Sequence, residues 1–369
     1  MRVTVVHIIT NLRQEGAQRI LQYVVTSSRV ENRHIVVSLT NAAKDCTIGE
    51  ILEQHDIEVI YLTGTTRLSI IRKLFALFQV IQRYKPDIVQ TWMYHADLIG
   101  GIAAKILGTP KIIWSVHHDN PNTTKLSTKL VATVCSWISG IVPSIIVNCS
   151  RSALQAHVTF GYKKEKMCLI ENGICLEKFS LASERSYQKS DFYIIGHIAR
   201  WHPIKGHETF INAASIVFQK MPNLKFMMIG TGIDDKNTEL KSLLNKAGIS
   251  EVTSLLGEQQ DIPQLLTNMD VYVQSSFSES FSLTLVEAIA MGVPSVSTRT
   301  GIAMDIDDSL CKKVDVNDQQ ALAEAILGLL HMTSEAKEAI VSGARKAVVE
   351  RFDQRVMVDK YQRLYSNVS

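Results

Sequence analysis

The chain has 369 residues, 46% of them hydrophobic and 20% charged, with only 8 prolines. That length exceeds what one hydrophobic core sustains and the composition excludes disordered and fibrous proteins, so two globular domains are expected. The net charge of +3 divides unevenly: residues 1–172 carry 19 Lys+Arg against 12 Asp+Glu and the remainder 20 against 24, which suits an anionic surface or acceptor near the front half.

The opening run MRVTVVHIIT lacks a small-residue cleavage pattern and reads as a first β-strand rather than a signal peptide. Strand-like apolar runs recur at 3–9, 34–39, 57–62, 87–92, 111–116 and 144–149, with helical segments between nearly all of them. Buried strands alternating with helices predict a parallel sheet wound on both faces. Arg67, Arg72, Lys73, Arg83 and Lys85 flank the apolar run 68–81. It reads as an amphipathic helix packed on the sheet, with a helix lying on a bilayer as the alternative.

Between Lys129 and Arg151 no charged residue occurs, long enough to raise a membrane span. Gly140 and Pro143 interrupt the run and Ser136, Ser139 and Ser144 dilute it, so a buried helix followed by a buried strand is expected.

A polar stretch from Glu177 to Asp191 has the composition of a linker, and a second strand series follows at 193–199, 224–230, 252–257, 271–276 and 294–299. The chain thus reads as α/β, with two Rossmann-like doubly wound parallel-sheet domains. Ligands in such sheets bind beyond the carboxyl ends of the strands, so the two domains are expected to face a central cleft. The six cysteines include no CxxC pair, which suggests neither a zinc ribbon nor a disulfide framework and favours a reducing, cytoplasmic setting.

Two segments carry chemistry. In Gly196–His207, Arg200, Lys205 and Gly206 sit at a strand-to-helix turn. Arg200 can grip phosphate oxygens bidentately, Lys205 adds a compact charge and Gly206 lets the backbone approach, which together read as a diphosphate clamp. The bland alternative is a pair of surface cations. In Ser275–Pro294, Glu279 lies in a loop suited to sugar hydroxyls, and Glu287 lies farther along a helix, suited to a ribose. The amides of Phe281, Ser282 and Leu283 would turn the positive helix end toward phosphate. Taken singly, Glu279 would pass for a capping acid and Glu287 for a solvent-facing helix residue.

With Glu-Gly-Ala at 15–17, Trp-Ser-Val-His-His at 114–118 and Glu-Asn-Gly-Ile at 171–174, these segments resemble, in this order and over nearly the whole chain, the GT-B glycosyltransferases of family 4. The resemblance implies GT-B architecture: a front acceptor domain at 1–172, a rear donor domain at 173–350, and a helix at 351–369 that returns to the front domain. It implies a retaining, metal-independent transfer with no cofactor beyond a UDP- or GDP-sugar co-substrate. The acceptor would be the hydroxyl of a glycan or lipid-linked oligosaccharide, in the synthesis of a bacterial surface polysaccharide such as O-antigen.

By position, Arg200 and Lys205 would neutralise the donor diphosphate, Glu279 would contact the sugar and Glu287 would hold the ribose. Gly16 matches the front loop that approaches the donor, and Asn172 with Gly173 the interdomain turn. His117 matches the histidine facing donor sugar and acceptor, with His118 and His95 on the acceptor side; Gly301 lies in another loop bordering the nucleotide. Two departures stand out: Glu15 precedes Gly16 where a glycine pair is usual, and Ser280-Phe281-Ser282 replaces Gly-Phe-Pro, which places a Cβ at Ser280 near the donor-binding amides. The expected setting is the cytoplasm, at the inner membrane surface, with no nucleic-acid partner.

Among rival readings, Ile229-Gly-Thr-Gly232 completes no dinucleotide fingerprint. A GT-B nucleotide-sugar epimerase would turn over without acceptor, and a non-catalytic partner subunit would not need Arg200, Lys205, Glu279 and Glu287 intact. Asp305-Ile-Asp307 and Asp315–Asp318, which superficially suit a metal-dependent GT-A enzyme, are better explained by loops and by Asp318 capping the next helix.

Overall fold

The computed structural model describes residues 2–13, 15–41, 47–62, 67–179 and 192–366. They form two compact units, one of Met1–Gly173 with Gln354–Ser369 and one of Ile174–Asp353.

In the first unit the order is β1 (Val3–Ile9), α1 (Gly16–Ser27), β2 (Asn32–Ser38), α2 (Thr47–Gln54), β3 (Glu58–Tyr61), α3 (Arg67–Tyr84), β4 (Ile88–Trp92), α4 (Tyr94–Ile106), β5 (Lys111–Val116), α5 (Leu126–Ile138), β6 (Ile145–Asn148), α6 (Arg151–Phe160) and β7 (Met167–Leu169). The strands make one parallel sheet in the order β3-β2-β1-β4-β5-β6-β7. Its central strands β4 and β5 are buried at every residue, because covering helices leave neither face to water. Leu77 and Ile81 of α3 join the core with Val37, Val89 and Tyr94; α3 is thus a helix packed on the sheet. Strand β7, Met167–Leu169, is partly exposed along its length and carries no pattern that the sequence reading could register.

The helix expected to be buried before β6 is α5, and its burial is one-sided. Ala132 and Cys135 lie in the core while Leu130 and Trp137 face solvent. A single helix over a sheet edge can bury only one stripe, whatever its composition. Among the described residues, no helix is long and apolar enough to cross a membrane.

The second unit holds β8 (Tyr193–Ile198), α7 (His207–Lys220), β9 (Leu224–Ile229), α8 (Thr238–Ala247), β10 (Thr253–Leu255), α9 (Ile262–Thr267), β11 (Val271–Gln274), α10 (Leu283–Ala290), β12 (Ser295–Thr298), β13 (Cys311–Val314), α11 (Gln319–Leu330) and α12 (Ser334–Phe352). Its parallel sheet runs β10-β9-β8-β11-β12-β13. Ile195, Phe210, Phe226, Val271, Val273 and Val296 form the core, sealed by Leu322 and Ile326 of α11. Asp318 caps α11 by accepting from Ala321 N at 2.8 Å.

The last helix, α13 (Gln354–Ser366), starts three residues later than the sequence suggested. Arg351 belongs to the last turn of α12; the Phe352 ring meets Phe281 edge-on at 5.8 Å, and the chain becomes extended only at Asp353. The first division likewise falls after Gly173 rather than after Asn172. Residues 180–191 of the expected linker lie outside the described residues. Helix α13 completes the first unit's core: Tyr361 and Tyr365 are buried, Tyr365 donates to the Gln90 side chain, and Lys111 Nζ donates to Leu364 O at 2.6 Å.

Candidate functional site

Each sheet has its strand order reversed at one place, between β1 and β4 in the first unit and between β8 and β11 in the second. Loops leaving adjacent strands diverge there, which opens a crevice at the carboxyl ends. The residues singled out from the sequence fall at these ends, and each unit has its own group.

In the first unit, Gly16 opens α1 beyond β1. A Cβ built on it would meet nothing within 4 Å, so the space over this turn is open. His117 and His118 directly follow β5. Trp92 stacks on His117 at 5.2 Å and Tyr94 on His118 at 4.3 Å. Tyr94 is itself fixed. The His157 Nδ1–H donates to Ala153 O at 2.6 Å, leaving Nε2 to accept the Tyr94 hydroxyl at 2.6 Å.

Burial pushes the pKa of His117 down to about 3, with the neighbouring His118 adding to it, and that of His118 to about 4, with His157 and His95 contributing. Both rings are therefore neutral near pH 7. His117 Nε2 is buried with no hydrogen-bond partner; an orphaned buried polar atom costs free energy and commonly marks a place where a ligand completes the pairing. His95 is exposed in the first turn of α4. Met93, joining β4 to α4, holds φ +70°, a conformation a β-carbon penalises and one that concentrates at functional sites. Asn172 is buried with Oδ1 unpartnered, and Gly173 N donates to Met357 Sδ at 3.1 Å. A cavity of 570 Å³ lined by Arg2, Arg33, His34, Asp56 and Glu58 opens at the opposite, amino-terminal edge of the sheet and takes no part in this group.

In the second unit the loop after β8 carries Arg200 and Lys205. Trp201 N donates to Thr231 O at 2.8 Å, and His207 Nε2 donates to Arg200 O at 2.9 Å while its ring stacks with Trp201 at 4.8 Å. The turn then presses onto β11. Ser275 Oγ is completely buried, 3.1 Å from Lys205 O, 2.9 Å from Gly206 O and 3.1 Å from His197 Nε2. Gly206 has φ +63°, and a Cβ there would lie 2.0 Å from Ser275 O; only glycine permits this approach.

The loop after β11 brings Glu279 to the same place. Lys205 Nζ lies 2.6 Å from Glu279 Oε1, which also accepts from Ser276 Oγ at 2.7 Å. Lys205 and Glu279 are both partly buried, and Arg200 is exposed. Gly301 props this loop from β12: at φ +52°, a Cβ on it would lie 2.8 Å from Glu279 O and 3.0 Å from Phe281 O.

Helix α10 begins at Leu283, with Ser282 as its N-cap, accepting from Leu285 N at 3.4 Å and donating to the Gln274 side chain. Ser282 adopts φ +82°. The Phe281 ring is buried on Phe352, so only its backbone is available to a ligand. Glu287 is buried, not solvent-facing, and with Glu279 it raises the pKa of the buried Tyr272, after burial itself.

The structure thus brings Arg200, Lys205, Gly206, Glu279, Ser280, Phe281, Ser282, Leu283, Glu287 and Gly301 to the ends of β8, β11 and β12, and Gly16, His95, His117 and His118 to the ends of β1, β4 and β5. The sequence reading missed the residues that hold these in place. Trp92, Tyr94, His157 and His207 are aromatic-ring residues inside regular elements and Ser275 is a small residue just past β11, and nothing in their spacing separates them from ordinary core. Among the described residues, no group of three or more His, Cys, Asp or Glu could hold a metal ion.

The chain matches two family profiles in succession: Glycosyltransferase Family 4 over residues 5–178 and Glycosyl transferases group 1 over residues 192–332. It is 27% identical over 334 residues to the capsular polysaccharide biosynthesis glycosyltransferase CapM of Staphylococcus aureus, covering 86% of this chain and 87% of that one. It is 25% identical over 322 residues to the UDP-Gal:alpha-D-GlcNAc-diphosphoundecaprenol alpha-1,3-galactosyltransferase of Escherichia coli, covering 80% and 79%. Among solved structures, Anabaena HepE in complex with UDP and glucose superposes with a TM-score of 0.86 at 21% identity, covering 99% of this chain and 100% of that one.

Proposed function

Since the chain belongs to the family 4 glycosyltransferases of GT-B fold and its activity is sugar transfer in polysaccharide biosynthesis, we propose that it moves a sugar, with retained anomeric configuration and without a metal, from a UDP- or GDP-sugar to a hydroxyl of a lipid-linked saccharide. The acceptor class is suggested by the diphosphoundecaprenol-linked substrate in the name of the E. coli relative. The transfer would take place at the cytoplasmic face of the membrane.

The observation that carries the reading is the convergence of Lys205 and Glu279, paired at 2.6 Å, with Arg200 at the switch point of the second sheet. Transfer breaks the bond between the anomeric carbon and the diphosphate oxygen, so negative charge grows on the β-phosphate. Arg200, Lys205 and the amino end of α10 are assigned to that charge, an electrostatic role of the kind that commonly supplies the largest share of catalysis. Glu279 is assigned to the sugar hydroxyls and Glu287 to the ribose.

The acceptor oxygen forms the new bond on the face that the diphosphate leaves, and its proton passes to the departing phosphate. No protein nucleophile is then needed. His117, neutral with an orphaned Nε2, is assigned to a hydroxyl of donor sugar or acceptor; His118 and His95 to the acceptor; Gly16, Asn172 and Gly173 to donor-contacting backbone.

Thermal-shift titration with UDP, GDP and ADP and their sugars tests the reading, because a ligand that binds only the native state raises Tm. One nucleotide series is expected to raise it, and the Lys205→Ala protein to lose most of the shift. If no nucleoside diphosphate raises Tm, the donor assignment is wrong.

A further inference from the structure

The outer face of α5 has no structural task in the first unit. Leu126, Leu130, Trp137 and Ile141 are 83%, 65%, 74% and 67% exposed, although the inner face of the same helix packs into the core through Ala132 and Cys135. The spacing of i, i+4 and i+11 places Leu126, Leu130 and Trp137 on one face of α5, and Ile141 lies in the turn that follows Ile138. Isolated exposed apolar side chains are ordinary, but a continuous stripe with a tryptophan in it is unusual on a soluble surface. Ile106, 67% exposed, ends α4, which packs beside α5.

The charge along the stripe is predominantly positive. Residues 120–164 contain no Asp or Glu, while Lys125 and Lys129 stand at the start of α5. At its other end Lys166 Nζ donates to Gly140 O at 2.7 Å and Pro143 O at 2.6 Å, a Cβ on Gly140 would lie 4.0 Å from Lys163 Cδ, and the charges of Lys105 and Lys163 act on Lys166. Asp119 and Glu165 bound this acid-free window, and Glu165 pairs with Lys163 at 3.4 Å. Thirteen residues give a helix of roughly 20 Å, short of the roughly 30 Å of a bilayer core.

We propose that the Leu126–Leu130–Trp137–Ile141 stripe lies in the plane of an anionic lipid bilayer, its apolar side chains among the acyl chains and Lys105, Lys125, Lys129 and Lys163 at the headgroups. A shallow apolar wedge rimmed by lysines matches such a surface in both polarity and charge, and an exposed tryptophan is suited to the interfacial belt. A second copy of the chain would bring the lysine rim against itself and lacks that complementarity. The inference rests on the lipid-linked acceptor of the proposed function, and gives it a means of reaching a substrate held in the membrane.

The test uses the full chain with vesicles that contain no acceptor. Wild type is expected to sediment with phosphatidylethanolamine–phosphatidylglycerol vesicles, with a blue shift of tryptophan emission, and not with phosphatidylcholine vesicles. The Leu130→Ser/Trp137→Ser double variant, altered only at exposed side chains, should keep its Tm and bind anionic vesicles about tenfold more weakly or worse; Lys105→Gln/Lys163→Gln should weaken binding most at low salt. Vesicle binding unchanged in the double variant would overturn the proposal, as would wild type that binds no vesicles but sediments as a dimer dissolved by the same substitutions. Transfer to a detergent-solubilised acceptor is measured alongside. Transfer without vesicle binding rejects the bilayer face alone, whereas vesicle binding without transfer to any lipid-linked acceptor rejects the acceptor reading alone.

Discussion

Lys205 Nζ and Glu279 Oε1 stand 2.6 Å apart, so the cation assigned to the donor's diphosphate and the carboxylate assigned to its sugar form one ion pair. A nucleotide sugar has the complementary order of groups, phosphates toward the lysine and hydroxyls toward the carboxylate.

Replacing Lys205 by Ala should lower kcat/KM by about 10²–10³-fold, the cost of losing one charge-stabilising donor in the transition state. The pair is largely buried, so losing the lysine leaves Glu279 without its cation and should lower Tm as well, while the fold is retained. Glu279→Gln, which keeps the shape but not the charge, should raise KM for the donor. Steady-state kinetics with far-ultraviolet dichroism check both, and a Lys205→Ala enzyme with near-normal transfer would reject the clamp.

The backbone beneath that pair is held by contacts that tolerate no added atom. Gly206→Ala forces a β-carbon toward Ser275 O at a positive φ, and should cost more than about 1 kcal/mol in urea unfolding. Gly301→Ala presses on Glu279 O and Phe281 O instead, displacing the loop that carries Glu279. Its transfer rate should therefore fall more steeply than its stability.

Transfer should continue after dialysis against EDTA, because Arg200, Lys205 and the start of α10 are assigned the charge that a divalent cation would otherwise offset. Complete loss, restored by manganese, would contradict the proposed chemistry.

Acid should destabilise the first unit well before its carboxylates are protonated. Burial lowers the pKa of His34, His118 and His157 to about 4 and of His117 to about 3, against an ordinary value near 6.5. A histidine whose folded pKa is depressed binds its proton more readily when unfolded. Its stabilising contribution is therefore complete above about pH 6.5 and is lost as pH falls toward 4. Asp97, whose pKa is raised by burial, acts in the opposite sense, since its protonated form is the one that the fold favours. Scanning calorimetry from pH 7.5 to 4 should show Tm falling most steeply between 6.5 and 4; a flat profile would show that these rings are not buried neutral.

Strands with several adjacent β-branched or aliphatic residues, such as KIIWSV and YIIGHI, could be read from the sequence within a residue or two of their ends. Strand β13, CKKV, could not, since at this sheet edge Lys312 is exposed and Lys313 pairs with Asp308 at 2.6 Å, and the strand loses its apolar signature. Charged and glycine positions of the site were legible because their chemistry is unusual at a strand end. The hydroxyl of Ser275 and the ring of His207 were not, because what makes them matter is which carbonyl each one meets: for Ser275 that is decided by a pairing of segments about 70 residues apart, and for His207 by how its own loop folds back on Arg200. The one-sided exposure of α5 was misjudged for the same reason: composition reports how apolar a helix is, but not how much of it the neighbouring elements cover.

Helix α13 packs with the first unit through Tyr365 on Gln90 and Lys111 on Leu364, though the 180 residues of the other unit, Ile174–Asp353, come between them in the chain. During synthesis the amino-terminal sheet therefore emerges early but waits for its last wall until the whole second unit has been made, leaving the Gln90–Lys111 region uncapped meanwhile. Such a half-closed intermediate is where aggregation begins, so deletion of 354–366 should trap this region in that state and lower soluble yield even though every residue assigned to the donor remains in the chain.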